Sequence, residues 1–399
     1  MLKVLKYGGS SVATTEQIIN IAQYIKKLVE NGDKIVVVAS AMGKTTNNLI
    51  KLASEITPYP NKREMDALLS TGEIQTVSLL AIALQSLNIK AISFTGFQSG
   101  FITDENHSKA FIKNINTEKL EKYLNLNYVC VVAGFQGISL EGNITTLGRG
   151  GSDTTAVALA SMLHCPCEIY TDVESVYTID PRLYPSAKKL HKISYDEMME
   201  MAASGAKVLE TRCVELAKKY NVLLYLGKTL EEDQSKGTYV MEKNEVEQMP
   251  VTNLSVKEDV AVIQLHIKKE DEQGISEIFN IIDKCSINLD MITKCYYEND
   301  IVFSFSTSNN QSDEFFNEFK QCKISDKVQI LISKNLCKIV LVGVGMATHT
   351  GIATKVFKIL DANNIPYSQI TTSEISISFT TEVKNKTLII DLLAKEFDL

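Results

Sequence analysis

Four short stretches bring cations, carboxylates and glycines together in ways that suit phosphate chemistry. Lys6-Tyr7-Gly8-Gly9-Ser10-Ser11 closes the first apolar run of the chain. Two glycines let backbone N–H groups approach a phosphate, and Lys6 would set a cation on it. A plain strand-to-helix turn with an exposed lysine fits the same residues. Thr146-Leu147-Gly148-Arg149-Gly150-Gly151-Ser152-Asp153 gathers glycines, a helix start, a guanidinium and a carboxylate. Arg149 can grip a carboxylate through two parallel hydrogen bonds, and Asp153 could orient Lys6 or a metal. The plainer alternative is a helix capped by Ser152 or Asp153. Tyr170-Thr171-Asp172-Val173, followed by Tyr177-Thr178-Ile179-Asp180-Pro181-Arg182, offers the mixture an adenine and ribose pocket needs, or else an Asp-Pro turn with surface charges. Gly72-Glu73 places a carboxylate that could bind an ammonium, although a solvated helical glutamate is the simpler reading. Gly43-Lys44-Thr45 imitates the end of a P-loop, but that motif needs a glycine where Val38 stands.

These stretches must be held by something, and the first 230 residues or so alternate between two patterns. Short apolar runs, Leu2–Tyr7, Lys34–Ser40, Ala91–Phe94, Tyr128–Ala133, Glu168–Thr171 and Val222–Leu226, read as strands. Between them Ile18, Ile21, Ala22, Ile25, Leu28 and Val29 recur at helical steps and stop at Asn31-Gly32. Glu64 to Leu87 and Ser152 to Leu163 read as further helices. Strand–helix–strand order implies a mostly parallel sheet with helices on both faces. Ligands of such sheets sit at the carboxyl ends of the strands, which is where the first and third stretches fall.

A polar stretch from Glu231 to Gly237 and again from Glu242 to Gln248 marks a boundary. Beyond it, Val260–Ile267, Gly274–Cys285, Ile287–Ile292 and Ile301–Phe305 read as strand, helix, strand, strand. Cys337–Val342, Gly351–Asn363, Ile365–Ile370 and Ile375–Thr380 repeat that order, a period of roughly 75 residues. Two β-α-β-β units predict paired small α+β modules, not a second catalytic lobe.

The chain has 399 residues, 45% hydrophobic and 22% charged, with a formal net charge of −7. Its length predicts two or three domains. The charge argues against nucleic acid as a partner. The start, Met1 to Gly9, is no signal peptide, because its apolar stretch is short and Lys6 interrupts it. The longest apolar run, Val77 to Leu84, is far short of a membrane span. We expect a cytoplasmic protein that touches neither membrane nor nucleic acid. Cys165-Pro166-Cys167 is too tightly spaced for a zinc site, the five histidines are scattered, and no metal ligand set is expected.

Taken in order, these motifs resemble the aspartate kinases of the amino-acid kinase superfamily. "KYGGSSVA", "VVASAMGKTTNNLI", "LLSTGE", "SFTGFQSG", "VVAGFQG", "TTLGRGGSDTTAVALA", "YTDVESVYTIDPR" and "ASGAKVL" follow in the family's sequence. "VGVGMATHTGIATKVFKIL" and "QITTSEISIS" are similar to its paired C-terminal ACT modules. The resemblance covers nearly the whole chain. It implies a three-layer α/β/α kinase domain over residues 1–240, then ferredoxin-like ACT modules over 250–330 and 331–399, with a first strand near 250–257 belonging to the second module. By the same resemblance, Lys6, Gly8, Gly9, Ser10 and Asp153 would serve phosphoryl transfer. Thr46, Glu73, Phe135, Arg149 and Ser152 would hold aspartate, and Thr171, Asp172, Tyr177, Arg182 and Lys207 would contact ATP, with Mg²⁺. Gly274, Asn288, Asp290, His349, Gly351, Thr372, Ser373 and Glu374 are candidate effector contacts. The sequence departs from the family's pattern at Glu174-Ser175, at Glu210-Thr211, where many members show His-Pro, and at Lys294-Cys295.

The resemblance implies a feedback-regulated phosphotransferase with a carboxylate acceptor, at the start of lysine, threonine and methionine biosynthesis. Lysine, threonine or both would inhibit it, with the sequence leaning to lysine, and the ACT modules would pair two chains into a homodimer or a larger homo-oligomer. An aspartate β-carboxylate has a solution pKa of about 3.9 and needs no base at neutral pH. The remaining problem is to bring two anions together. Two alternatives stand beside this reading: another carboxylate or nucleotide kinase of the superfamily, and a non-catalytic amino-acid sensor. The sensor reading would predict losses at Lys6, Arg149 or Asp153, and all three are present.

Overall fold

The structure is a computed structural model that describes residues 1–206, 208–242, 250–347 and 349–399. They form two compact units, one of residues 1–177, 189–203 and 208–242, the other of 178–188, 204–206 and 250 onward.

The first unit is built on an eight-stranded sheet, in the order Lys192–Ile193, Thr238–Val240, Leu224–Lys228, Cys167–Thr171, Leu2–Tyr7, Lys34–Ala39, Val129–Ala133 and Ala91–Phe94. Every neighbouring pair is parallel except Leu224–Lys228 with Thr238–Val240. Side chains alternate between faces along a strand. Leu5, Tyr7, Ile35, Val37 and Ala39 therefore join Val129, Val131 and Ala133 in one core. Helices Thr15–Glu30 and Lys62–Ser86 close that core with Ile18, Ile21, Ile25, Val77, Leu80 and Leu84. Val4, Val36, Val38 and Val132 point to the other face and are just as buried. Helix Gly151–Met162, buried along most of its length, packs against the sheet there. Burial of both faces explains why these strands read as unbroken apolar runs. Three layers, α/β/α, result.

In this unit the expected strands and helices are present, with most ends shifted by no more than two residues. Helix Thr15–Glu30 opens on a capping box, in which the Thr14 side chain accepts from the Gln17 N–H and the Gln17 side chain accepts from the Thr14 N–H. Other elements were not legible. Helix Thr45–Ile56 buries no residue completely, so it carries no core stripe to read. A four-stranded sheet of Ile112–Ile115, Phe101–Thr103, Gln136–Ser139 and Ile144–Thr146 is made of strands too short to show a period. Helix Lys62–Ser86 is long and apolar enough to cross a bilayer by composition alone. Here it is a core helix, and it buries Asp66, Ser70 and Glu73 as well as its apolar residues.

The second unit is a six-stranded sheet in the order Asp290–Tyr297, Asp300–Thr307, Asn253–Lys268, Val328–Val342, Ser376–Glu382 and Ser368–Thr372. Its two central strands are long. Asn253–Lys257 pairs with Lys338–Val342, and Val260–Ile267 pairs with Val328–Leu336, with irregularities between. Each long strand thus serves two β-α-β-β modules. Helix Ile275–Lys284 packs in the core of the first and helix Ile352–Ala362 in that of the second. The third strand of each repeat starts about three residues later than its apolar run suggests. Ile287 and Ile365 are buried in the preceding turn instead.

Candidate active site

Strand register places the chemistry. Tyr7 is level with Ala39 and with Tyr170, and Ala39 with Ala133, so four parallel strands end together. The ladder continues one residue further through Gly8 N–H to Tyr170 O (3.2 Å), Ser40 N–H to Tyr7 O (3.2 Å) and Gly134 N–H to Ala39 O (3.1 Å). The loops that follow are Gly8-Gly9, Ser40-Ala41 and Gly134-Phe135, and they surround one cavity of about 250 Å³. Gly9 is needed for this approach, since a Cβ there would lie 2.8 Å from the Ala41 carbonyl oxygen.

Lys6 is 8% exposed, and its Nζ lies 2.6 Å from Asp153 Oδ1. Oδ1 has no aligned hydrogen-bond donor, so the contact is an ion pair rather than a directed hydrogen bond. Asp153 lies in the first turn of helix Gly151–Met162, whose N-cap is Gly150 in the left-handed region at φ 68°. No side chain caps this helix, which overturns the alternative of a helix capped by Ser152 or Asp153. The Gly151 N–H donates to Gly148 O at 3.0 Å, so the N–H groups of Ser152 and Asp153 and the positive end of the dipole are what the helix offers an anion.

Glu73 reaches the same cavity from helix Lys62–Ser86. It is not a solvated helical residue. It is 3% exposed, Oε1 accepts the Ala41 N–H at 3.2 Å, and Oε2 is buried with no partner. Burial pushes its pKa up to about 7, opposed by its backbone hydrogen bonds. A carboxylate in this condition suits a cation. Thr46, Ser152 and Phe135 also line the cavity, with the Phe135 N–H donating to Thr155 Oγ1 at 3.1 Å. Arg149 stands at the rim, largely exposed, with its Nε 3.4 Å from Glu210 Oε1.

The other expected residues are distributed as follows. Ser10 is exposed beyond the two glycines. Thr171 ends its strand, its Oγ1 donates to Asp172 at 2.8 Å, and its carbonyl accepts from Thr229. Tyr177 is on a short hairpin strand paired with Lys189. Arg182 belongs to the other unit, where Asp180 holds its guanidinium. Lys207 lies outside the described residues. Glu174, at a departure from the family pattern, pairs with Lys189 at 2.6 Å, which holds its carboxyl below the usual range. In the second unit, Gly274 and Gly351 start their helices. Asp290 accepts from Lys338 at 3.0 Å, and His349 Nδ1 lies 2.9 Å from Gly345 O. Asn288, Thr372 and Glu374 are exposed, and Ser373 is tied to Ser376.

Two anchoring residues escaped the sequence reading. Asp66 is fully buried and accepts from Thr146 Oγ1 (2.6 Å), Thr146 N–H (3.1 Å) and Ser108 N–H (3.0 Å), with His107 Nδ1 at 2.8 Å. Arg212 donates to Leu147 O and Ala110 O, both at 3.1 Å. Together they hold the start of the loop that carries Arg149. A signal existed, because Asp66, Ser70 and Glu73 share one helical face and all three are buried.

An amino acid kinase family model matches residues 1–227, and an ACT domain model matches residues 339–397. An aspartokinase of Bacillus sp. (strain MGA3) is 42% identical over 402 residues, covering 100% of this chain and 97% of that protein. The aspartokinase of Pseudomonas aeruginosa is 40% identical over 405 residues, covering 100% and 98%. Among solved structures, E. coli aspartokinase III in complex with aspartate and ADP superposes with a TM-score of 0.81 at 22% identity, covering 100% of both chains. That last likeness is one of fold.

Two outcomes follow from the site. Asp66→Ala strands buried N–H donors at Thr146 and Ser108, and it should cost about 3 kcal/mol in urea denaturation. Glu73 binds its proton more tightly folded than unfolded. Stability of the ligand-free protein should therefore fall as pH rises from 4.5 to about 7. Glu73→Gln should remove that part of the slope, measured by denaturant titrations across the window.

Proposed function

The chain belongs to the aspartokinases of the amino acid kinase family, and from that premise we propose how its cavity works. An aspartokinase transfers the γ-phosphoryl group of ATP to the side-chain carboxylate of L-aspartate. One carboxylate oxygen forms a bond to phosphorus as the bridging oxygen leaves with ADP. No proton has to move, and 4-phospho-L-aspartate is the product. The observation that carries the assignment is the sharing of one cavity by the Lys6–Asp153 ion pair, the orphan carboxylate of Glu73 and an uncapped helix start.

Glu73 takes the ammonium of aspartate, which is the cation its unpartnered oxygen lacks. Arg149 takes the α-carboxylate in two-point fashion. Thr46, Ser152 and Phe135 shape the remaining walls. Lys6 and the Gly9 amide lie where the γ-phosphate meets the β-carboxylate, with Gly8, whose N–H is engaged by Tyr170 O, and Ser10 beside them. They offset the repulsion between two anions and the charge that spreads over the moving phosphoryl group. Asp153 is a positioning residue that aims the Lys6 ammonium. Thr171, Asp172 and Tyr177 contact the nucleotide beyond. Fixing both reactants in line supplies much of the remaining acceleration.

Magnesium fits this site as a companion of the nucleotide. Asp153 lines the cavity and, with Oδ1 paired to Lys6, would meet such an ion through its other carboxylate oxygen. Among the described residues no three acidic, histidine or cysteine side chains form a cage, and an ion held chiefly by phosphate oxygens and water needs none. Such an ion would neutralise phosphate charge.

The second unit is the regulatory part, built on the ACT fold. We assign it an amino-acid effector, lysine first and threonine second, bound near Asp290 and His349. An effector inhibits only by binding one state more tightly than another. Exposed Ile292, Tyr296 and Tyr297 on a terminal strand of the sheet favour pairing with a second copy, making a homodimer. Eight free cysteines suit a reducing, cytoplasmic compartment.

Lys6→Ala should lower kcat by about 100-fold or more while changing the KM for aspartate far less. Arg149→Ala should chiefly raise that KM. Both are read by coupled ADP release, and an unchanged kcat in the first or an unchanged KM in the second removes that residue from its role. In the same assay, millimolar lysine should inhibit, and indifference to both lysine and threonine would contradict the regulatory assignment.

A further inference from the structure

We propose that Glu210 is a resident counter-ion for Arg149, which the carboxylate of the incoming substrate must displace, and that it thereby sets the affinity for aspartate. The inference rests on the assignment of Arg149 to the substrate and adds a determinant of how tightly that substrate is held.

Glu210 is fixed beside Arg149 by the backbone. It is the N-cap of helix Thr211–Tyr220, and its carbonyl accepts the Cys213 N–H. Two residues later, Arg212 is clamped on the carbonyls of Leu147 and Ala110. The stem of Glu210 lies across Gly150, where an added Cβ would meet its Cγ at 1.9 Å. Helix and loop thus bring the Glu210 side chain next to the guanidinium.

The contact itself is loose. Nε and Oε1 are 3.4 Å apart, and the two side chains are 86% and 40% exposed. Such a pair is easily exchanged. It engages the Nε edge of the guanidinium, and a carboxylate arriving from the cavity would compete for the same charge. The charges inside the cavity otherwise balance, with Lys6 and Arg149 against Glu73 and Asp153. Glu210 adds one further negative charge at the rim, which is unfavourable to two reactants that each carry net negative charge. When displaced, its half-exposed carboxylate can turn into water.

The test is the KM for aspartate in the full-length protein, by ADP release, for wild type, Glu210→Gln, Glu210→Asp, Arg149→Ala and the Arg149→Ala/Glu210→Gln double variant. Glu210→Gln should lower that KM about two- to five-fold, with smaller changes in kcat and in the KM for ATP. Glu210→Asp, which keeps the charge, should stay nearer wild type. In the Arg149→Ala background the Gln substitution should have no effect. An unchanged or raised KM in Glu210→Gln, or an equal fall in the Arg149→Ala background, overturns the proposal. Absence of aspartate-dependent ADP release from wild type would instead overturn the assignment of the reaction, and this inference with it.

Discussion

A lysine ammonium at the end of a buried strand cannot stand alone. Removing Lys6 from most of its water carries a desolvation cost that only an opposite charge offsets. Asp153 supplies it at 2.6 Å from the first turn of a helix on the next loop. The same contact fixes the distance between the first strand tip and the helix start, so the glycine loop and the open helical N–H groups face one space. Two anionic reactants can meet there because one cation and two sets of backbone dipoles are already oriented and need no rearrangement.

That arrangement depends in turn on parallel register. Strand tips at Tyr7, Ala39, Ala133 and Tyr170 are level, and each loop leaves in the same direction. Helix Lys62–Ser86 then crosses beneath with a polar face in an otherwise apolar interior. Asp66 anchors the arginine loop, and seven residues on, Glu73 leaves one oxygen unused. One oxygen ligates the protein and the other awaits a ligand. Its raised proton affinity is the consequence of burial. Arrival of an ammonium would release the proton and favour the ionised form.

Much of this was legible from sequence for physical reasons. Doubly buried strands must be apolar along their length, and glycines at their ends mark close backbone approach. Lys6, Arg149 and Asp153 stood out because three chemically special residues lay beside those glycines. Glu73 alone looked like a solvated residue, and only the packing of its helix shows otherwise. Arg212 was invisible because its partners are backbone carbonyls distant in sequence, and Asp66 showed only as part of a polar helical face, its partners near residues 107 and 146 being remote. The helix Thr45–Ile56 left no core stripe. In the second unit the repeat was plain, whereas the sharing of both long strands by two modules was not, since it depends on pairing between residues near 255 and near 340.

The central claim is that Lys6, aimed by Asp153, sits between the two reactants while Glu73 holds the amino acid. A crystal structure with aspartate, Mg²⁺ and a non-hydrolysable ATP analogue tests it most directly. The account predicts the γ-phosphate within hydrogen-bonding distance of Lys6 and the Gly9 amide, with the substrate ammonium on Glu73 Oε2. A nucleotide or amino acid bound elsewhere, with Lys6 and Glu73 touching neither, would contradict it.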